Sequence, residues 1–184
     1  MKRPALALAF ALALWSPGPL LAMLAPGARA PDFTIQAALG GKDMSFALAK
    51  ALKKGPVVLY FYPKSFTSVC TEEAHLFAEA TPEFEAMQAS VIGVSSDGIE
   101  TQRKFSSLEC RDKFPVGADP DFSVIKAYDA AMGAPSVGLA IAKRISYVIA
   151  PDGAVISALA DSGAENHIKN ALAAVKAWRS AHPQ

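Results

Sequence analysis

The strongest pattern in the chain is an unbroken apolar run at residues 57–62 (VVLYFY), closed by Pro63. A half-exposed strand alternates apolar and polar positions. A continuous β-branched and aromatic run of this length instead predicts a strand buried on both faces, as in a parallel central sheet. Residues 91–95 predict the next strand, with Asp97-Gly98 as its turn, and 114–118 a shorter one. Residues 144–150 (RISYVIA) and 154–159 flank Pro151-Asp152-Gly153, a hairpin signal. Towards the start, 33–38 reads as a short strand, Gly40-Gly41 as a turn, and about 45–52 as a helix. A polar loop after Pro63 leads into a helix starting near Cys70, which Thr81-Pro82 should break or restart. Residues 100–110 are expected to be helical, and Asp119-Pro120-Asp121 to cap a helix reaching about Tyr128. The last helix carries Ile168, Ala171, Leu172, Val175 and Trp178 on one stripe, a core-facing pattern. The order β-α-β-α-β-α-β-β-α predicts an α/β domain of three layers, α/β/α, around a mixed sheet with an antiparallel edge. That architecture by itself names no function.

The first residues follow a different pattern. Lys2 and Arg3 precede a mostly Ala/Leu run from Ala5 to Trp15, which Pro17-Gly18-Pro19 interrupts. This is the layout of an export signal, and the run is shorter than the roughly 20 residues a spanning helix needs. Residues 1–22 are therefore expected to be a signal peptide, cut after Leu20-Leu21-Ala22. The alternative Ala28-Arg29-Ala30 is followed at once by Pro31, which suits a signal peptidase badly. The expected domain is 24–184, exported to an oxidising compartment such as a bacterial periplasm, with no membrane insertion after cleavage.

Composition narrows the classes. With 52% hydrophobic residues, a chain of 184 residues can bury a core without staples. Eighteen Lys and Arg against 17 Asp and Glu leave no charge excess to attract nucleic acid. Two cysteines are too few for a disulfide-stapled scaffold or a four-ligand zinc site. His75, His167 and His182 form no ligand spacing with acids or cysteines, and His75 reads as a surface residue. No cofactor motif is present: there is no G-x-G-x-x-G, no P-loop and no C-x-x-C.

Cys70 stands where a buried strand, a short loop and a helix start meet. Backbone N–H groups at a helix N-terminus point outward unpaired and favour negative charge, so a thiolate is stabilised there. Thr67, three residues earlier, can place a hydroxyl beside the sulfur, and Pro63 can shield it from water. A lone cysteine is more often a small buried hydrophobe; the P-K-S-F-T-S-V-C context favours a nucleophile.

At these residues the chain resembles the peroxiredoxins. Pro63, Thr67 and Cys70 match that family's P-x-x-x-T-x-x-C motif, Asp32-Phe33 within APDFTI resembles its opening strand, and RISYVIAPDG its arginine-bearing strand and hairpin. The similarity runs from about Leu24 to Trp178 and is nearest to the peroxiredoxin Q (bacterioferritin comigratory protein) branch. The resemblance implies a thioredoxin-like fold and a thiol peroxidase acting on hydrogen peroxide and alkyl hydroperoxides. It implies Cys70 as attacking thiolate, Thr67 bonding the peroxide, Pro63 covering the pocket, Arg144 beside the sulfur, and Glu73 holding the guanidinium. It also implies a thioredoxin-like or other thiol reductant and, from the habit of the branch, a monomer.

The second cysteine stays open. Many members of the branch place a resolving cysteine five residues after the first, where this chain has His75. Others carry it in the helix after the next strand, near Cys110. Cys110 as resolving thiol, a permanent disulfide, and a buried inert thiol are all open at this point; bridging helix start to helix end would require local unwinding. A thioredoxin-like thiol sensor or oxidoreductase acting on partner proteins is the competing function. The absence of C-x-x-C argues against it, and against a copper-binding relative the absence of C-x-x-x-C.

Overall fold

Residues 23–133 and 140–183 are described by a computed structural model. β1 (Thr34–Leu39) turns through Gly40 and Gly41, at φ 57° and 75°, into β2 (Lys42–Ala47). Two successive left-handed residues give a tight turn whose twist suits a hairpin, and the strands pair from Thr34↔Ala47 to Leu39↔Lys42. The helix expected over 45–52 is corrected by this pairing. Residues 45–47 extend β2, with Phe46 turned in and Ser45 out, and only α1 (Leu48–Leu52) is helical.

The chain continues through β3 (Val57–Phe61), α2 (Ser68–Ala86), β4 (Ser90–Ser95), α3 (Ile99–Leu108), β5 (Val116–Ala118) and α4 (Ser123–Ala127). A two-stranded ladder, β6 (Ala131–Met132) with β7 (Ile141–Ala142), was not foreseen. β8 (Ile145–Ile149), β9 (Val155–Ala160) and α5 (Glu165–Ala181) complete the described fold.

The main sheet runs β2-β1-β5-β4-β3-β8-β9. β3 is parallel to β4, and β4 to β5; the remaining neighbours are antiparallel. The sheet is therefore mixed, as expected, and helices cover both faces. All five residues of β3 are buried, and they alternate between two cores. Val57, Leu59 and Phe61 join the cluster under α1 and α4, whereas Val58, Tyr60 and Tyr62 join the one under α2 and α5. The second cluster contains both cysteines.

Two helices differ from expectation. α2 continues through Pro82, because Phe77, Ala78, Thr81 and Phe84 are all buried and their packing outweighs one missing N–H. The Thr81 hydroxyl donates to the Phe77 carbonyl at 2.9 Å in that turn. α3 stops at Leu108, so Cys110 lies beyond it: the Cys110 amide reaches back to Phe105 O, and Arg111 and Asp112 turn left-handed at φ 51° and 58°. α4 ends as expected, with Tyr128 as its C-cap, and the Asp119 carboxylate caps its start by accepting from the amides of Ser123 at 3.1 Å and Ile125 at 2.7 Å.

The signal segment assigned to residues 1–22 lies outside the described residues. Among those described, no helix is long and apolar enough to cross a membrane.

Candidate active site

Pro63 ends β3 and starts a loop held by identifiable bonds. The Ser65 amide donates to the Asp97 carboxylate at 2.7 Å, and the Thr67 hydroxyl to the Lys64 carbonyl at 2.9 Å. Phe66 takes a left-handed φ of 64° and meets the Phe105 ring edge-on at 5.2 Å. A non-glycine residue there carries roughly 1–2 kcal/mol of strain, which the surrounding bonds must hold. Thr67 then serves as N-cap of α2, and the first intrahelical bond runs from the Thr71 amide to the Thr67 carbonyl. The amides of Ser68, Val69 and Cys70 precede that bond, so the first turn directs unpaired donors at whatever the Cys70 side chain faces.

Cys70 is 1% exposed, and what it faces is Arg144. Arg144 sits just before β8, and its Nη2 donates to Cys70 Sγ at 3.2 Å across 74 residues of sequence. Its Nη1 donates to Glu73 Oε2, and its Nε to the Ser162 carbonyl at 3.2 Å. Glu73 lies one turn after Cys70 on α2 and is fully buried. Burial pushes its carboxyl above the ordinary carboxylate range, with Arg144 pulling the other way. Burial works against the Arg144 charge, but the Glu73 carboxyl and the Cys70 sulfur beside it hold the guanidinium's proton affinity above its ordinary value. One guanidinium, itself held by one Glu73 oxygen, Oε2, therefore holds the sulfur; the second oxygen, Glu73 Oε1, is buried without a partner.

The structure brings some of the residues singled out in the sequence together and not others. Cys70, Glu73 and Arg144 converge. Thr67 and Pro63 border the same loop, although the Thr67 hydroxyl is turned to Lys64 rather than to the sulfur. Cys110 is a free thiol, fully buried, and Cys70 is free as well. Burial first, then the charges of Glu109 and Asp112, push the Cys110 thiol well above its ordinary value. Such a thiol is a poor nucleophile where it stands.

Several contributors have no sequence signal of their own. Tyr60, inside the VVLYFY run, stacks on Phe77 at 4.5 Å, and its hydroxyl is buried without a partner. Burial raises that hydroxyl well above 10, and the charges of Cys110, Tyr62, Glu73 and Cys70 add to it. Its ring lies across β4 at Gly93, where a Cβ would come within 2.6 Å of Tyr60 Cζ. His75, read as a surface residue, donates from Nε2 to Glu109 at 2.7 Å and so ties α2 to the Cys110 segment. Asp97, read as a turn residue, anchors the active loop. Among the described residues, no group of three or more His, Cys, Asp or Glu side chains could hold a metal ion.

Residues 26–158 match the AhpC/TSA family. The chain is 33% identical over 134 residues to a Mycobacterium tuberculosis (strain CDC 1551 / Oshkosh) protein that carries a peroxiredoxin name, covering 72% of this chain and 86% of that one. It is 31% identical over 123 residues to peroxiredoxin Bcp of Xanthomonas campestris, covering 66% and 76%. Among solved structures, peroxidoxin BcpB from Mycobacterium tuberculosis shares the fold with a TM-score of 0.75 at 30% identity, covering 83% of this chain and 96% of that chain.

Proposed function

The chain belongs to the AhpC/TSA family and is a thiol-dependent peroxidase, and we propose that Cys70 is its peroxidatic cysteine. The observation that carries this reading is the Arg144 guanidinium, which bonds Cys70 Sγ at 3.2 Å and Glu73 at once from a distant strand. The Cys70 thiolate attacks one oxygen of the peroxide in line with the O–O bond. The S–O bond forms as O–O breaks, and the departing oxygen leaves as water or an alcohol after taking a proton. Charge grows on that oxygen during the step. A fixed guanidinium and the unpaired amides of the α2 start stabilise it more in the transition state than before. The Thr67 hydroxyl, turning from Lys64, binds the peroxide, and Pro63 screens the thiolate from bulk water.

The product is a Cys70 sulfenic acid. Cys110 attacks its sulfur, forming the Cys70–Cys110 disulfide and releasing water. Because Cys110 is buried, its segment first leaves the core. A thioredoxin-like dithiol then returns both cysteines to thiols. Hydrogen peroxide and alkyl hydroperoxides are the substrates, and the enzyme acts as a monomer.

The chain is exported, with residues 1–22 removed. Supporting a cut at 22 rather than 30, residues 27–30 are bonded to the β8–β9 hairpin: the Gly27 amide to Val155 O at 2.8 Å, and the Ala30 amide to Gly153 O at 2.9 Å. A cut at 30 would strip that pairing away.

Peroxide consumption with a thioredoxin-type reductant tests the central assignment. Cys70→Ser is expected to abolish it, and consumption at the parent rate would sink the reading. Mass spectrometry of the exported protein, before and after one equivalent of peroxide, reads its first residue and the Cys70–Cys110 linkage together. A sulfenic acid that persists without that linkage would remove Cys110 from the cycle.

A further inference from the structure

Arg144 bonds three groups, and only two of them belong to the reacting centre. The third is the Ser162 carbonyl, in the surface loop between β9 and α5. A guanidinium is planar, and its plane is fixed only if two separated partners hold it. Glu73 supplies one anchor. The other is as firm as the 161–163 loop, which has little of its own burial to keep it in place.

That loop is tied down from inside the protein by His167, in the first turn of α5 and fully buried. Its Nε2 lies 3.1 Å from the Asp161 carbonyl. A carbonyl only accepts, so Nε2 carries the proton, and Nδ1 accepts from the Ser146 hydroxyl at 2.8 Å. Burial holds the ring below its ordinary proton affinity, in keeping with this neutral form. Ser146 is two residues beyond Arg144 at the start of β8. The contacts therefore close a circuit, from Arg144 along the strand to Ser146, across to His167, out to Asp161, and through Ser162 back to the guanidinium. The Asp161 carboxylate joins the loop to α5 as well, accepting from the Gly163 amide at 2.8 Å and Asn166 Nδ2 at 2.7 Å.

We infer that His167 is a positioning residue for peroxide reduction: by holding the Asp161–Ser162 backbone it sets the plane in which Arg144 meets Cys70 and the departing oxygen. This rests on the assignment of Cys70 and Arg144 above. A buried histidine that merely satisfied its own bonds would matter to stability and not to the reacting centre. Adjacent carbonyls of one loop, the first on His167 and the second on Arg144, give it the further role.

Two substitutions separate the ring's two bonds. Gln carries an amide nitrogen as far from Cβ as Nε2, so His167→Gln can still donate to Asp161. Asn reaches only as far as Nδ1, so His167→Asn keeps a partner for Ser146 and loses the loop. The readout is the ratio of the Cys70 rate constants towards hydrogen peroxide and iodoacetamide, followed at the Cys70 peptide by mass spectrometry. Both reagents need the thiolate, but only the peroxide develops charge on a departing oxygen beside Arg144. In His167→Asn the ratio is expected to fall roughly tenfold, less than the 10²–10³ for removing an oxyanion donor itself. In His167→Gln it should stay within about twofold of the parent.

An unchanged ratio in His167→Asn, or equal losses in both variants, would overturn the inference and leave His167 a packing residue. Should His167→Asn fail to fold, the same measurement on Ser146→Ala decides. That change frees the ring to turn off the loop, and an unchanged ratio there counts against the inference. Peroxide consumption by Cys70→Ser would instead remove the assignment beneath it, whatever the His167 variants do.

Discussion

At the residue scale the proposed chemistry depends on one side chain having three fixed partners. Arg144 meets a sulfur, a carboxylate and a carbonyl, and a guanidinium presents donors in a rigid fork that can serve all three. An ammonium has no such plane. Arg144→Lys keeps the charge but is expected to lower the second-order rate constant with hydrogen peroxide by about 10²-fold. Stopped-flow consumption under limiting peroxide measures it, and a loss under about threefold would show that charge alone suffices. Cys70, Arg144 and Glu73 were legible in the sequence because each is a chemically distinctive residue in a matching motif. The Ser162 carbonyl was not, since every residue has one and only the folded loop aims it. Tyr60 was hidden too: within VVLYFY its hydroxyl looks like ordinary strand material until β3 alternation turns it towards the cysteines.

At the element scale the proposed resolving role of Cys110 requires its segment to leave its site. Two polar contacts on either side of Cys110 fasten it to one face of α2: the hydrogen bond of His75 to Glu109 at 2.7 Å and the ion pair of Arg111 with Glu79 at 3.1 Å. His75 and Glu79 are one turn apart on α2, so the two clasps act on neighbouring points of the same helix. Both pairs are partly exposed, worth no more than about 1 kcal/mol each. Such strength can slow release without preventing it. Glu109 has a second effect, because its charge also pushes the Cys110 thiol up. Glu109→Gln weakens the clasp and removes that charge, and both changes favour the proposed resolution by Cys110. Rapid-quench mass spectrometry should show the Cys70–Cys110 disulfide forming about two- to fivefold faster, with Cys70 oxidation unchanged. Slower disulfide formation would mean that the pair guides Cys110 rather than restraining it. This segment was also the least legible part of the chain. Its composition continues the helix of 99–108, and the left-handed Arg111 and Asp112 that end it show no glycine. The hairpin at 151–153 and the stripe of α5 were readable because proline, glycine and a 3.6-residue period announce them. Residues 45–47 and Pro82 were misread for the same reason in reverse: pairing with β1 and a buried stripe overrode local preference.

Across the whole molecule, the sheet separates two cores, and the core that holds the cysteines also holds ionisable groups whose burial acts on stability in opposite senses. Burial lowers the proton affinity of His167 from its ordinary 6.5, Arg144 adds to this, and Asp161 opposes it. The unfolded chain therefore takes up a proton near 6.5 that the folded chain takes only at lower pH. Over that window the unfolded state binds more protons, so stability rises with pH through it and is lost as pH falls from about 6.5. Glu73 works the other way. Burial raises its carboxyl above the ordinary 4.5, so the folded state retains a proton that the unfolded state gives up, and stability declines as pH rises past that value. A single stability profile mixes the two. Comparing the parent with His167→Gln isolates one, because Glu73 is present in both proteins. Thermal unfolding midpoints between about pH 8 and pH 5 should show the parent losing stability relative to His167→Gln as the pH falls through about 6.5. Parallel midpoints across that range would mean that His167 titrates alike in the folded and unfolded chains. A gap widening towards high pH in the variant's favour would reverse the sign and place a charged ring in the folded core.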